Sequence, residues 1–148
     1  NMKKIIFLLL FLSASIIINA QKIQIKDAYT YSHLLIQNKD MQTSFNEDIT
    51  GGIIFSMKNR DEFIAISIEK DICYYGKIVK VETEYNMISY EFNALFNGAY
   101  IPIVLSVIYD TPNHNVPSKF FLTVLNRFSR DPVKYNLFTG ITKAKYNK

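Results

Sequence analysis

Apolar and polar positions alternate with period two over several segments in the middle of this chain, and the densest apolar run beyond the N-terminus is 101–110, IPIVLSVIYD. Ile101, Ile103, Leu105, Val107 and Tyr109 fall on one face of an extended segment. Val104 and Ile108 make the other face partly apolar, which predicts a central strand covered on both sides. Pro102 has no amide to give a ladder, so it fits only near the start of that strand.

Upstream, 53–58 and 63–69 read as strand, turn, strand across 59–62, with Ile64, Ile66 and Ile68 facing inward. Lys70-Asp71 is a further turn candidate, 72–75 begins a strand, and Gly76 fits a bulge or bend. In 77–85, Val79, Val81, Thr83 and Tyr85 oppose Lys80, Glu82 and Glu84. Ile88, Tyr90 and Phe92 then line up against Ser89 and Glu91. Asn97-Gly98 is a strong hairpin dipeptide. Successive strands joined by short turns predict an antiparallel meander.

Other segments depart from this pattern. Residues 22–26 alternate as a short first strand. In 27–38, Tyr31, Leu34, Leu35 and Asn38 share a helical face behind Asp27 as N-cap, whereas Tyr29, Tyr31, His33 and Leu35 align on a strand. The cap favours helix. Residues 39–50 are polar and lead to Gly51-Gly52, so they read as a loop, and 110–117 is a second, irregular one. Over 118–130, Lys119, Thr123, Asn126, Arg127 and Arg130 gather within about 100° of a helical wheel, with Phe120, Phe121, Leu122, Val124, Leu125 and Phe128 on the remainder. With Ser118 as cap, this predicts a helix packed on the sheet. Tyr135, Leu137, Thr139 and Ile141 alternate as a last strand. The expected fold is α+β: a curved antiparallel sheet of about six or seven strands packed by one or two helices, one of them at 118–130.

The N-terminus changes the picture of compartment. Met2-Lys3-Lys4 precedes an apolar stretch at 5–18 that is shorter than the roughly 20 residues of a spanning helix, and Ala20 is a suitable residue before a cleavage point. Residues 2–20 are thus expected to be an export signal, cleaved after Ala20, with 21–148 as one domain in the periplasm or outside the cell; a short uncleaved anchor is the rival. Cys73 is the only cysteine, so no intramolecular disulfide forms and packing must supply stability.

Without Lys3 and Lys4 the chain carries 15 basic and 13 acidic residues, unevenly placed: residues 21–110 sum to −4 and residues 111–148 to +6. The basic end either meets an anionic partner or lies over the acidic body. No Arg-rich patch points to nucleic acid.

Candidate chemistry is sparse. Two histidines, His33 and His114, and one cysteine do not make a metal site, and no nucleotide or cofactor motif is present. Asp110 could orient His114 as a general base, with Ser118 or a tyrosine as partner, giving a small hydrolase-like enzyme. The turn residues around them explain the same stretch without catalysis. Tyr74 and Tyr75, beside Gly76, are candidates for stacking on a glycan or protein partner. Lys119, Arg127 and Arg130 form a basic face that could meet an anionic surface without stable membrane insertion. An outer-membrane barrel is set aside because of the expected helix, the short strands and the lysine terminus. The reading is an exported, non-enzymatic binding protein for a protein, glycan or apolar ligand, with no cofactor. The alternatives are the Asp110/His114 enzyme and a carrier of an apolar small molecule in a cavity between sheet and helix.

Overall fold

Alternation carried through almost every segment, with turns of only a few residues, builds a sheet long enough to meet itself. The computed structural model describes residues 22–96, 98–111, 115–125 and 131–146. Eight strands follow in order: β1 Gln24–Asn38, β2 Thr43–Lys58, β3 Asp61–Ile68, β4 Asp71–Glu84, β5 Met87–Phe96, β6 Ala99–Tyr109, β7 Pro117–Leu125 and β8 Pro132–Thr139. Each pairs antiparallel with the next, and β8 returns to β1, so the meander closes into an eight-stranded up-and-down barrel. Closure leaves no long row of unpaired backbone groups. A short β9, Thr142–Lys143, continues β8 along β1 in unchanged register, from His33↔Thr139 to Thr30↔Thr142.

The meander is therefore as expected, but the α+β class is overturned: the described residues are all-β. The predicted helix at 118–130 is strand β7 as far as Leu125, and residues 126–130 lie outside the described ones. The helical wheel was misleading because this strand is apolar on both faces. Phe120, Leu122 and Val124 point into the barrel, while outward Phe121 packs its ring on Tyr135 of β8, with centroids 5.6 Å apart. Residues 27–38 are also strand, not helix. A bulge between Tyr31 and His33 shifts the alternation by one, so Tyr31 and Leu34, three apart, both face inward and imitate a helical period. Most of the expected 39–50 loop belongs to β2, whose outer half is polar because it faces solvent. Nor is β6 covered on both sides: Ile103 and Leu105 are buried, but Val104 and Ile108 remain partly exposed on the outer wall. Two grounds against a membrane barrel fall as well, since there is no helix at 118–125 and β1, β2 and β4 run to 15, 16 and 14 residues.

The inner face is the core. Tyr31, Leu34, Ile53, Ile64, Ile66, Phe92, Ile103, Leu105, Phe120, Leu122 and Phe138 are essentially inaccessible, each contributing roughly 1.5–3 kcal/mol by burial. Gly51 allows the tightest approach within it. Tyr31 Oη donates to the Ser67 carbonyl at 2.8 Å, passing through the space that a Cβ on residue 51 would fill, 2.3 Å from that Oη. Outside the barrel, the C-terminal segment lies over β1, β2 and β3. Ala144 packs on Ala28, Ile54 and Ala65, and the Tyr146 hydroxyl reaches the Lys26 carbonyl at 3.0 Å. Lys143 Nζ stands 3.5 Å from Asp27 Oδ1, so at that point the basic end does lie on the acidic body.

Candidate functional site

One end of the barrel is open. There, toward the β2–β3 and β4–β5 turns, a cavity of about 100 Å3 is lined by residues of β1 to β6. Four of the aromatic rings that line it lie on the inward phase of their strands: Tyr29 from β1, Phe55 from β2, Tyr90 from β5 and Tyr109 from β6; Phe63 of β3 lines it as well, from the outward phase. Three of these rings form a connected wall, with Phe55 at 5.0 Å from Tyr90 and edge-on to Tyr29 at 6.3 Å between centroids. Phe120 backs Tyr29 from inside, at 5.4 Å.

Charged groups complete the rim. Asp27 is the first inward residue of β1 to reach the cavity, and Glu62 opens the inward series of β3. Lys26 is the extra residue of a β-bulge between the pairs Ile25↔Ser56 and Asp27↔Phe55. The bulge brings Lys26 to the cavity, where its ammonium pairs with Glu62. Tyr109 is fixed by the neighbouring turn. Its amide donates to the Asn86 carbonyl at 2.8 Å, and Asn86 Nδ2 donates to the Tyr109 carbonyl at 2.9 Å.

The phenols are strongly conditioned. Burial pushes Tyr29 above the ordinary tyrosine range, helped by the Asp27 charge and by Tyr109 and Tyr90. Tyr90 is pushed up to about 12 by burial, then by Tyr109, Glu62 and Asp27. Tyr109 is raised by burial and Asp27. At neutral pH all three stay protonated, offering O–H donors and ring faces rather than a phenolate nucleophile. Because these folded-state values lie above the unfolded one, the associated stability is complete below pH 10 and is lost as pH rises toward about 12. The thermal midpoint is expected to fall steadily across that window. Replacing Tyr90 by Phe should reduce the slope, which melts followed at a series of alkaline pH values will check.

The residues singled out from sequence are dispersed. Asp110 is exposed in the bend beyond β6, at the open end but not in the cavity lining, and His114 lies outside the described residues. Ser118 Oγ donates to the Ile108 carbonyl at 3.1 Å. Tyr74 and Tyr75 split as strand alternation requires. Tyr74 is buried inside, and Tyr75 is half-exposed outside, stacked on Phe63 at 5.6 Å with planes 7° apart. Lys119 is exposed on the outer face of β7, so the proposed basic helix face does not exist there, and Arg127 and Arg130 lie outside the described residues. His33 also points outward, its Nδ1 2.8 Å from Asp48 Oδ1 and its Nε2 2.7 Å from Asn46 Oδ1, contacts that raise its pKa. Cys73 is half-buried, and burial pushes its thiol up, away from reactivity. Among the described residues no group of three or more His, Cys, Asp or Glu side chains is placed to hold a metal ion.

Sequence reasoning missed the mouth residues themselves. Asp27 read as a helix cap, Glu62 as a turn residue, and Lys26, Tyr90 and Tyr109 as members of separate strands. The available signal was an ionisable residue on the inward phase at a strand end, at Asp27 and again at Glu62. We find no family model, no curated protein and no solved structure that matches this chain.

Proposed function

We propose that this chain is an exported binding module that takes a small ligand, or the head of a larger one, at the open end of its barrel. The supporting observation is the contrast between the two halves of the interior. Away from the mouth the barrel is filled by its own side chains, and at the mouth four inward-facing aromatic rings and two carboxylates border a cavity. Eight-stranded barrels are just wide enough to be filled or to hold one small guest. The neutral phenols favour binding over catalysis. The outer wall carries Asp48, Lys77, Lys80 and Glu82 on exposed strand positions, and the inner wall is apolar, the reverse of a lipid-facing barrel. That supports a domain standing in water once the expected signal is removed.

Ile78 lines the cavity from β4 and is only partly buried, so Ile78→Phe can fill space without rebuilding the core. In a ligand-observed NMR screen of chemically varied small molecules, some should bind the parent protein and lose their signal with Ile78→Phe, whose melting curve should stay close to the parent's. If every compound that binds the parent binds the filled variant equally, the mouth is not the binding site.

A further inference from the structure

Resting on that reading, we propose that the mouth selects a small organic cation, such as an alkylammonium head group, which competes with the chain's own Lys26 for the place beside Glu62. Three observations converge on this class. The lining combines ring faces from Tyr29, Phe55, Tyr90 and Tyr109 with the carboxylate of Glu62 and that of Asp27, which also meets Lys143 outside the cavity, and aromatic faces with carboxylates attract ammonium groups. The cavity, about 100 Å3, is smaller than the roughly 150 Å3 of an engineered cavity that takes up benzene, so only a compact group enters. Finally, an ammonium already stands there. A β-bulge inserts Lys26 into the strand and brings its side chain to the cavity, paired with Glu62. The chain thus supplies an internal stand-in for the ligand, and an incoming cation must displace it.

This arrangement fixes the signs of two substitutions. Lys26→Met removes the competitor and leaves Glu62 without its own ammonium, so affinity for an added organic cation rises, by about five- to tenfold. Glu62→Gln removes the carboxylate and lowers that affinity by a similar factor. An anionic ligand would show the reverse, since Lys26 would then be its partner.

The test uses three molecules of one shape: choline, the neutral 3,3-dimethylbutanol and the anionic 3,3-dimethylbutyrate. Each is titrated at constant ionic strength into protein labelled at its tyrosine rings, with Tyr→Phe variants assigning the signals. Choline alone is expected to shift Tyr29, Tyr90 and Tyr109, more tightly in Lys26→Met and more weakly in Glu62→Gln; melting curves establish that both variants are folded. The inference is overturned if the neutral or anionic analogue shifts those rings as much as choline, if none of the three shifts them, or if Lys26→Met does not tighten choline. In each case the cavity-filling result with Ile78→Phe still decides separately whether the mouth binds anything.

Discussion

Gly51→Ala is expected to destabilise the barrel by about 3–4 kcal/mol, although alanine is normally the better strand residue. The added Cβ would stand 2.1 Å from the Ser67 carbonyl oxygen and 2.3 Å from Tyr31 Oη, distances that no real contact tolerates. The carbonyl belongs to a paired strand and the phenol to the middle of the core, so neither can move aside freely. Overpacking at such a place costs roughly 1–3 kcal/mol. Displacing Tyr31 also breaks its buried 2.8 Å bond to Ser67, about 1–3 kcal/mol more where an acceptor is left unmatched. Tyr31→Phe isolates the second contribution and should cost less than Gly51→Ala. In the Tyr31→Phe background the alanine should do less harm, because the hydroxyl oxygen has gone, while the ring Cζ still stands 2.6 Å from the added Cβ. Urea titrations of the three variants and the parent give the cycle. A loss under about 1 kcal/mol for Gly51→Ala would show that β1 and β2 are not held in this register. The consequence reaches the mouth, because β1 also carries Lys26, Asp27 and Tyr29 and β2 carries Phe55.

Local pattern was sufficient where strands run without interruption. In β3 and β6 the alternation is unbroken, and Ile64, Ile66, Ile103, Leu105 and Val107 are buried as the pattern requires. The turn within 59–62 was legible too, though it is shorter than expected: Asn59 and Arg60 both take positive φ, 52° and 71°, as a two-residue hairpin turn demands, and Asp61 and Glu62 already belong to β3. Pattern failed where one residue was inserted or where both faces were apolar. Strand β1 has three register irregularities, at Ile25/Asp27, Tyr31/His33 and Ile36/Gln37. The first two skip one residue of β1 in the pairing and reset its phase, which makes the strand resemble a helix, while the third puts its extra residue into β2. Strand β7 has its second apolar face because Phe121 meets Tyr135 on the outer wall. Closure was beyond reach for another reason: the return of β8 to β1 joins residues about a hundred positions apart, and no local pattern encodes it. The candidate site depends on that closure. Asp27, Glu62, Tyr90 and Tyr109 are spread over four strands, and only the barrel makes them neighbours.

The same closed interior contains one residue that contradicts its surroundings, and replacing it should raise stability. Asn136 on β8 is fully buried between its cross-strand neighbours Leu122 and Ile36, and among the described residues no protein group lies in hydrogen-bonding geometry with either Oδ1 or Nδ2. The Tyr74 hydroxyl is a polar neighbour, close enough to oppose the upward push of burial on that phenol, yet the geometry of a bond between them is not met. An unmatched amide in an apolar interior costs about 1–3 kcal/mol. Asn136→Leu removes it and adds apolar burial in a similar volume, so a gain of about 2 kcal/mol is expected. Asn136→Asp should act in the opposite direction, more severely at neutral than at acid pH, since the ionised carboxylate is the form that burial penalises. Chemical denaturation of both variants, with Tyr74→Phe alone and combined with Asn136→Leu, separates the explanations. If the leucine destabilises and the two substitutions are strongly non-additive, Tyr74 is the partner of the amide. If the leucine destabilises and the substitutions simply add, the amide is held by something other than the protein. Only a gain establishes that the barrel keeps Asn136 at the expense of its own stability.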